Sequence, residues 1–122
     1  MILALDFSSE TPIYQQIRNE IVIGISNGSL AEGERLPTIR ALAAEIGVNT
    51  MTVNKAYDLL KKEGYISADR RSGARVMPRN HDNKEVSKEI GERLKLLISE
   101  AKLNGVKKET FITLCEQLYK EE

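Results

Sequence analysis

Apolar residues recur at Tyr14, Ile17, Ile21 and Ile25, at spacings of three, four and four, and this rhythm predicts an amphipathic helix within residues 11–28. Thr11 is its expected N-cap, Pro12 its first helical residue, and Asn27-Gly28 its stop. After a loop ending in Leu36-Pro37, Thr38 is placed to cap a shorter helix with Ile39, Leu42, Ala43 and Ile46 as its apolar positions, closing at Gly47. Only Val48 and Asn49 then precede a third helical pattern, 50–63, in which Val53, Ala56, Tyr57 and Leu60 share one face. Two short helices joined across a tight glycine turn make a helix-turn-helix candidate.

Beyond Gly64 the periodicity changes. The runs 65–68 and 74–77 read as short strands around the turn Asp69-Arg70-Arg71-Ser72-Gly73, and Pro78 ends the second. Helix, helix-turn-helix and hairpin in that order spell a winged helix over residues 1–78. Residues 79–85 form a polar hinge that contains His81, with Asp82 a candidate cap for a fourth helix. Val86, Ile90, Leu94, Leu97 and Ala101 mark that helix, broken at Asn104-Gly105, and Phe111, Leu114, Cys115, Leu118 and Tyr119 mark a fifth. The expected fold is mainly α: a winged helix-turn-helix domain with a small β-hairpin wing, then a helical hairpin over 79–122. Val86, Ile90, Leu94, Leu97, Phe111, Leu114 and Leu118 offer more apolar surface than one such hairpin can bury, so a second copy is expected to cover the rest as a homodimer.

The chemistry of the third helix gives this architecture a use. Opposite its apolar face lie Met51, Asn54, Lys55, Asp58 and Lys62, polar and mostly uncharged near the N-terminus. Asn54 can make a bidentate contact to adenine, Met51 can meet a thymine methyl, and Asn49, Thr50 and Thr52 can bond phosphate or base edges. Overall charge does not help, because 18 basic and 18 acidic residues cancel and exclude a polybasic binder. From Asn49 to Arg79, however, seven basic residues face three acidic ones, and Arg70 and Arg71 stand at the tip of the wing, where a phosphate can be clasped.

Other chemistries find little support. One cysteine and one histidine exclude an intrachain disulfide and a Cys/His zinc site, so no metal is expected, and a reducing cytoplasm is the expected compartment. His81 reads as a linker residue and Cys115 as a core side chain on the buried face of the fifth helix rather than a redox sensor. There is no glycine-rich phosphate loop, nucleophile elbow or spaced carboxylate pair. Neither an enzyme nor a cofactor is expected, and no stretch approaches the roughly 18 apolar residues of a membrane span.

Thr-Pro-Ile-Tyr-Gln-Gln-Ile (11–17), Leu-Pro-Thr-Ile-Arg-Ala-Leu-Ala (36–43), Gly-Val-Asn-Thr-Met-Thr-Val-Asn-Lys-Ala-Tyr (47–57) and Lys-Glu-Gly-Tyr-Ile (62–66) together resemble the DNA-binding domain of GntR-type bacterial regulators. The short tail, with Ile-Ser-Glu-Ala-Lys-Leu-Asn-Gly-Val (98–106) at its corner, is similar to the YtrA-type subfamily. The resemblance implies DNA contacts at Arg40, at Asn49, Thr50, Met51, Asn54 and Lys55, and at Arg70, Arg71 and Gly73. It also implies a homodimeric repressor, often of its own operon with transporter genes. The wing departs from the family pattern, carrying Arg71 and Arg75 where a glycine and an aromatic are usual.

The function expected is sequence-specific binding of double-stranded DNA at a palindromic operator. A winged-helix adaptor that docks other proteins is the rival reading, separated by whether binding shows saturable sequence preference. A small-molecule effector is left open as a partner, although the tail alone is too short for a dedicated pocket of the usual ~300 Å³ or more unless a dimer interface supplies one.

Overall fold

The computed structural model describes residues 1, 3–79 and 83–121 of the chain. Its elements are α1 (Ile13–Ser26), α2 (Ile39–Ile46), α3 (Thr50–Lys62), β1 (Ile66–Asp69), β2 (Gly73–Val76), α4 (Lys88–Leu103) and α5 (Lys108–Lys120). The chain divides into two compact units, Met1–Arg79 and Asn80–Glu122.

In the first unit the apolar faces read from the sequence meet around one core. Ile17, Ile21, Leu42, Val53 and Leu60 are fully buried, joined by Ile25, Leu36, Tyr57, Ile66 and Val76. The third helix is the hub, since α1, α2 and β1 all pack on it. Each removes apolar area from water at about 25 cal/mol per Å². A second fastening is polar. The Arg18 guanidinium, nearly buried, donates to both carboxylate oxygens of Glu63 at 2.9 and 3.0 Å and lies 5.6 Å from the centre of the Tyr65 ring. This ties α1 to the end of α3, and the hydrogen bonds with Glu63 raise the affinity of Arg18 for its proton further above its already high ordinary value.

The turn of the helix-turn-helix is built as its residues dictate. Thr38 Oγ1 accepts from the Ala41 amide and starts α2. Gly47 ends it in a left-handed conformation, φ 74°, which glycine adopts without steric cost. Asn49 Oδ1 then accepts from the Thr52 amide and starts α3. Tyr57, pointing back from α3, donates its hydroxyl to the Pro37 carbonyl at 2.8 Å, so the loop before α2 is pinned to α3. Burial pushes that phenol well above its ordinary pKa, and it stays protonated as a donor.

Some expected boundaries shift. Thr11 does not cap α1. Pro12, extended at φ −55° and ψ 146°, takes the cap position, no side chain caps the helix, and the Thr11 carbonyl instead accepts from the Gln16 side chain. That same amide also exchanges two hydrogen bonds with the backbone of Asp6, which lays the N-terminal segment on α1. The strands lie one residue off the expected runs, pairing Ile66 with Val76 and Asp69 with Gly73, because Asp69 closes the turn from its first position. Residues 33–36 run along the other side of β2, with an isolated bridge between Arg35 and Arg75 and a Leu36 amide bond to the Ala74 carbonyl. The wing is therefore supported on both edges of β2, where a lone two-stranded hairpin would be marginal.

In the second unit α4 and α5 follow one another across the turn at 104–107, and the two helices do not pack along their length as the expected hairpin would. Ser87 caps α4 through the Ile90 amide, in place of Asp82, and Val86 lies before the helix. Asp82 and His81 lie outside the described residues. No residue of either helix is buried within the chain, and Cys115, expected in a core, is half-exposed.

Candidate nucleic-acid interface

Three elements of the first unit converge on one cleft of about 410 Å³. Arg40 comes from the first turn of α2, Asn54 and Asp58 from the outer face of α3, and Asp69 and Gly73 from the two strands where they meet the wing's turn. Of the residues expected to contact DNA, the cleft brings together Arg40, Asn54 and Gly73. Both polar side chains are available: Arg40 and Asn54 are exposed, and neither is hydrogen-bonded within the protein among the described residues.

The other expected contacts surround this cleft rather than line it. Met51 projects from the start of α3 and is 79% exposed. Thr50 is exposed beside it. Asn49 and Thr52 are already engaged, because Asn49 Oδ1 accepts both from the Thr52 amide and from its hydroxyl, so the Asn49 amide nitrogen is what stays free to donate outward. Lys55 is exposed, and its ammonium stands 4.1 Å from the centre of the Tyr14 ring on α1. Arg70 and Arg71 occupy the wing tip, exposed to solvent.

The tip has a defined shape despite its exposure. Asp69 Oδ1 accepts from the amides of Arg71 and Ser72, and Oδ2 accepts from the Ser72 hydroxyl. These bonds, chiefly those from Ser72, hold the Asp69 carboxyl below its ordinary pKa, with a smaller contribution from nearby Arg75. The two arginines are thus carried on an ordered turn that an ionised aspartate closes.

Sequence reasoning counted Lys61 only within the basic surplus of residues 49–79 and missed Arg35; both line the cleft. Arg35 lies in a segment that reads only as loop, and nothing in its local pattern announces that residues 33–36 will run beside β2. Its guanidinium packs on Gly73, with Nε 3.1 Å from where a Cβ would stand. Gly73 also has φ 67°. Gly73→Ala therefore carries two penalties, backbone strain of about 1–2 kcal/mol and displacement of Arg35. Gly47→Ala carries only the first, since nothing lies within 4 Å of its Cβ position. Thermal melts should show the larger loss for Gly73→Ala, accompanied by weaker DNA binding; equal losses would mean that Arg35 yields freely.

The second unit carries grooves as well. One of about 320 Å³ is lined by Ile98, Ala101, Val106, Phe111 and Ile112 between Lys102 and Lys108, and a wider one of about 670 Å³ lies past Leu114. Both are open grooves on the surface of the unit, not enclosed cavities.

Residues 13–76 match the model of a family described as bacterial regulatory proteins, gntR family. The chain is 36% identical over 110 residues to the HTH-type transcriptional repressor YtrA of Bacillus subtilis, covering 88% of this chain and 85% of that one. Among other curated relatives the match spans 59% of a mycobacterial regulator and 15% of a longer Bacillus subtilis protein, so several of them carry further sequence. A transcriptional antiterminator of Listeria monocytogenes EGD-e has the same fold over 100% of this chain and 96% of its own, with a TM-score of 0.85 and 29% identity. The DNA-binding domain of AraR in complex with operator ORE1 aligns to 62% of this chain and 93% of its own, with a TM-score of 0.53 and 26% identity.

Proposed function

The chain belongs to the gntR family of bacterial regulatory proteins, on the YtrA-like branch, and we propose that it is a homodimeric repressor that occupies a palindromic operator. The observation that carries this reading is the convergence of Arg40, Asn54 and Gly73 on one exposed cleft beside the open end of the recognition helix. Three contacts from three elements can fix both the register and the angle of a helix in the major groove. Asn54 and Met51 read base edges; Lys55, Arg70 and Arg71 anchor phosphates; Arg40 enters from α2 against the backbone or an adjacent base.

Homodimerisation through α4 and α5 supplies the two-fold symmetry. Supporting it, Ile90, Leu94, Leu97, Leu114 and Leu118 are each roughly half-exposed in the single chain, a composition that water does not tolerate as free surface. The neighbour bound to its operator supports DNA as the partner of the winged unit, and the repressor activity of YtrA supports blocking of a promoter as the outcome.

The test is selection of bound fragments from the source genome, followed by footprinting. The expected result is an inverted repeat with half-sites about one helical turn, 10–10.5 base pairs, or a multiple of it apart. Binding without saturable preference over scrambled DNA would defeat the proposal in favour of a protein-docking adaptor.

A further inference from the structure

The contact between Tyr14 and Lys55 joins α1 to the outer face of α3, and it has a form that suits a surface meeting a polyanion. Tyr14 is the second residue of α1, with its ring half-buried against the core. Lys55 is exposed, and no carboxylate among the described residues lies within ion-pairing distance of it. The ring is therefore the anchored partner and the ammonium the held one.

A carboxylate in the place of the ring would fix the lysine equally well but would cancel its charge. An aromatic face attracts the cation through its quadrupole and leaves the net charge intact. With the ring on one side at 4.1 Å, ammonium N–H groups remain directed outward, free to donate to an oxygen. A long flexible side chain is thereby held in one place before any partner arrives, which lowers the ordering cost of the contact it later makes.

One turn further along α1, Arg18 meets Tyr65 in the same manner, yet Arg18 is nearly buried and neutralised by Glu63. The two contacts pair a cation with a tyrosine ring, at 5.6 and 4.1 Å, and are opposite in consequence. The Arg18 end closes a structural joint, and the Tyr14 end leaves a free positive charge beside Asn54.

We propose that Tyr14 is a positioning residue for DNA binding: its ring holds the Lys55 ammonium, uncancelled, at the point where α3 meets a phosphate. The proposal rests on the DNA-binding function proposed for the winged unit and adds to it a residue that does not itself touch DNA.

The experiment is a double-mutant cycle with wild type, Tyr14→Phe, Tyr14→Leu, Lys55→Ala and Tyr14→Leu with Lys55→Ala, titrated with operator and scrambled duplexes at several salt concentrations. Tyr14→Phe keeps the ring and should bind within about twofold of wild type. Tyr14→Leu should weaken both duplexes by about three- to tenfold, the scale of ordering one long side chain. In the Lys55→Ala background the same change should cost nothing further in affinity, while any loss in thermal stability should persist in both backgrounds. Should Tyr14→Leu fail to fold, Tyr14→Met closes the cycle. An undiminished affinity loss in the Lys55→Ala background would make the ring merely structural and overturn the proposal, as would unchanged or tighter binding by Tyr14→Leu itself. Failure of wild type to prefer any operator is a separate outcome that defeats the DNA-binding reading instead.

Discussion

Asn54→Ala is expected to lower operator affinity by about 1–3 kcal/mol and to leave affinity for scrambled DNA nearly unchanged. Asn54 stands one turn into α3 on its exposed face, above the cleft shared with Arg40 and Gly73. Its amide makes no hydrogen bond within the protein among the described residues, so truncation strands no internal partner. Alanine is also the better helix former, which should hold or slightly raise the melting temperature. Any loss of binding then belongs to the interface alone. Lys55→Ala and Arg70→Ala should differ in kind: each removes mainly charge, weakening all sequences alike and reducing the salt slope by about 1. Equal losses on operator and scrambled duplexes for Asn54→Ala would show that α3 does not read sequence through this residue.

The helices and the buried and exposed faces of α3 were legible because they rest on short-range periodicity. Val53, Ala56, Tyr57 and Leu60 fall on one side of α3 by spacing alone, and all four are buried. Thr38 and Gly47 bound α2 as their chemistry requires. Arg40 and Gly73 came through family resemblance, and the fold brings both to the cleft that Asn54 also lines. What stayed hidden depends on pairings between distant positions. The Arg35–Arg75 bridge, the Tyr57–Pro37 hydrogen bond and the Tyr14–Lys55 contact each join residues whose local sequence is uninformative about the partner. Likewise the Gln16 side chain's bonds to the Thr11 carbonyl and the Asp6 backbone join positions that local periodicity does not connect.

Leu94→Glu is expected to convert the protein to monomers and to reduce operator affinity by about 10²–10⁴-fold, the gain that a second tethered site ordinarily provides. A unit in which neither helix buries a single side chain cannot be held by its own core, and its apolar positions form a surface rather than an interior. Leu94 is 43% exposed in the single chain, between Ile90 and Leu97 along α4. In a dimer a carboxylate there would be removed from water without a partner, and the monomer would be favoured instead. The winged unit should survive the change, since its core draws on residues 17–76 and none from the tail. Sedimentation should therefore show a folded monomer, and titration should show half-site binding with scrambled-DNA affinity reduced far less than operator affinity. A Leu94→Glu variant that sediments as an intact dimer would remove α4 from the interface, and one that is monomeric yet binds the full operator undiminished would separate dimerisation from recognition.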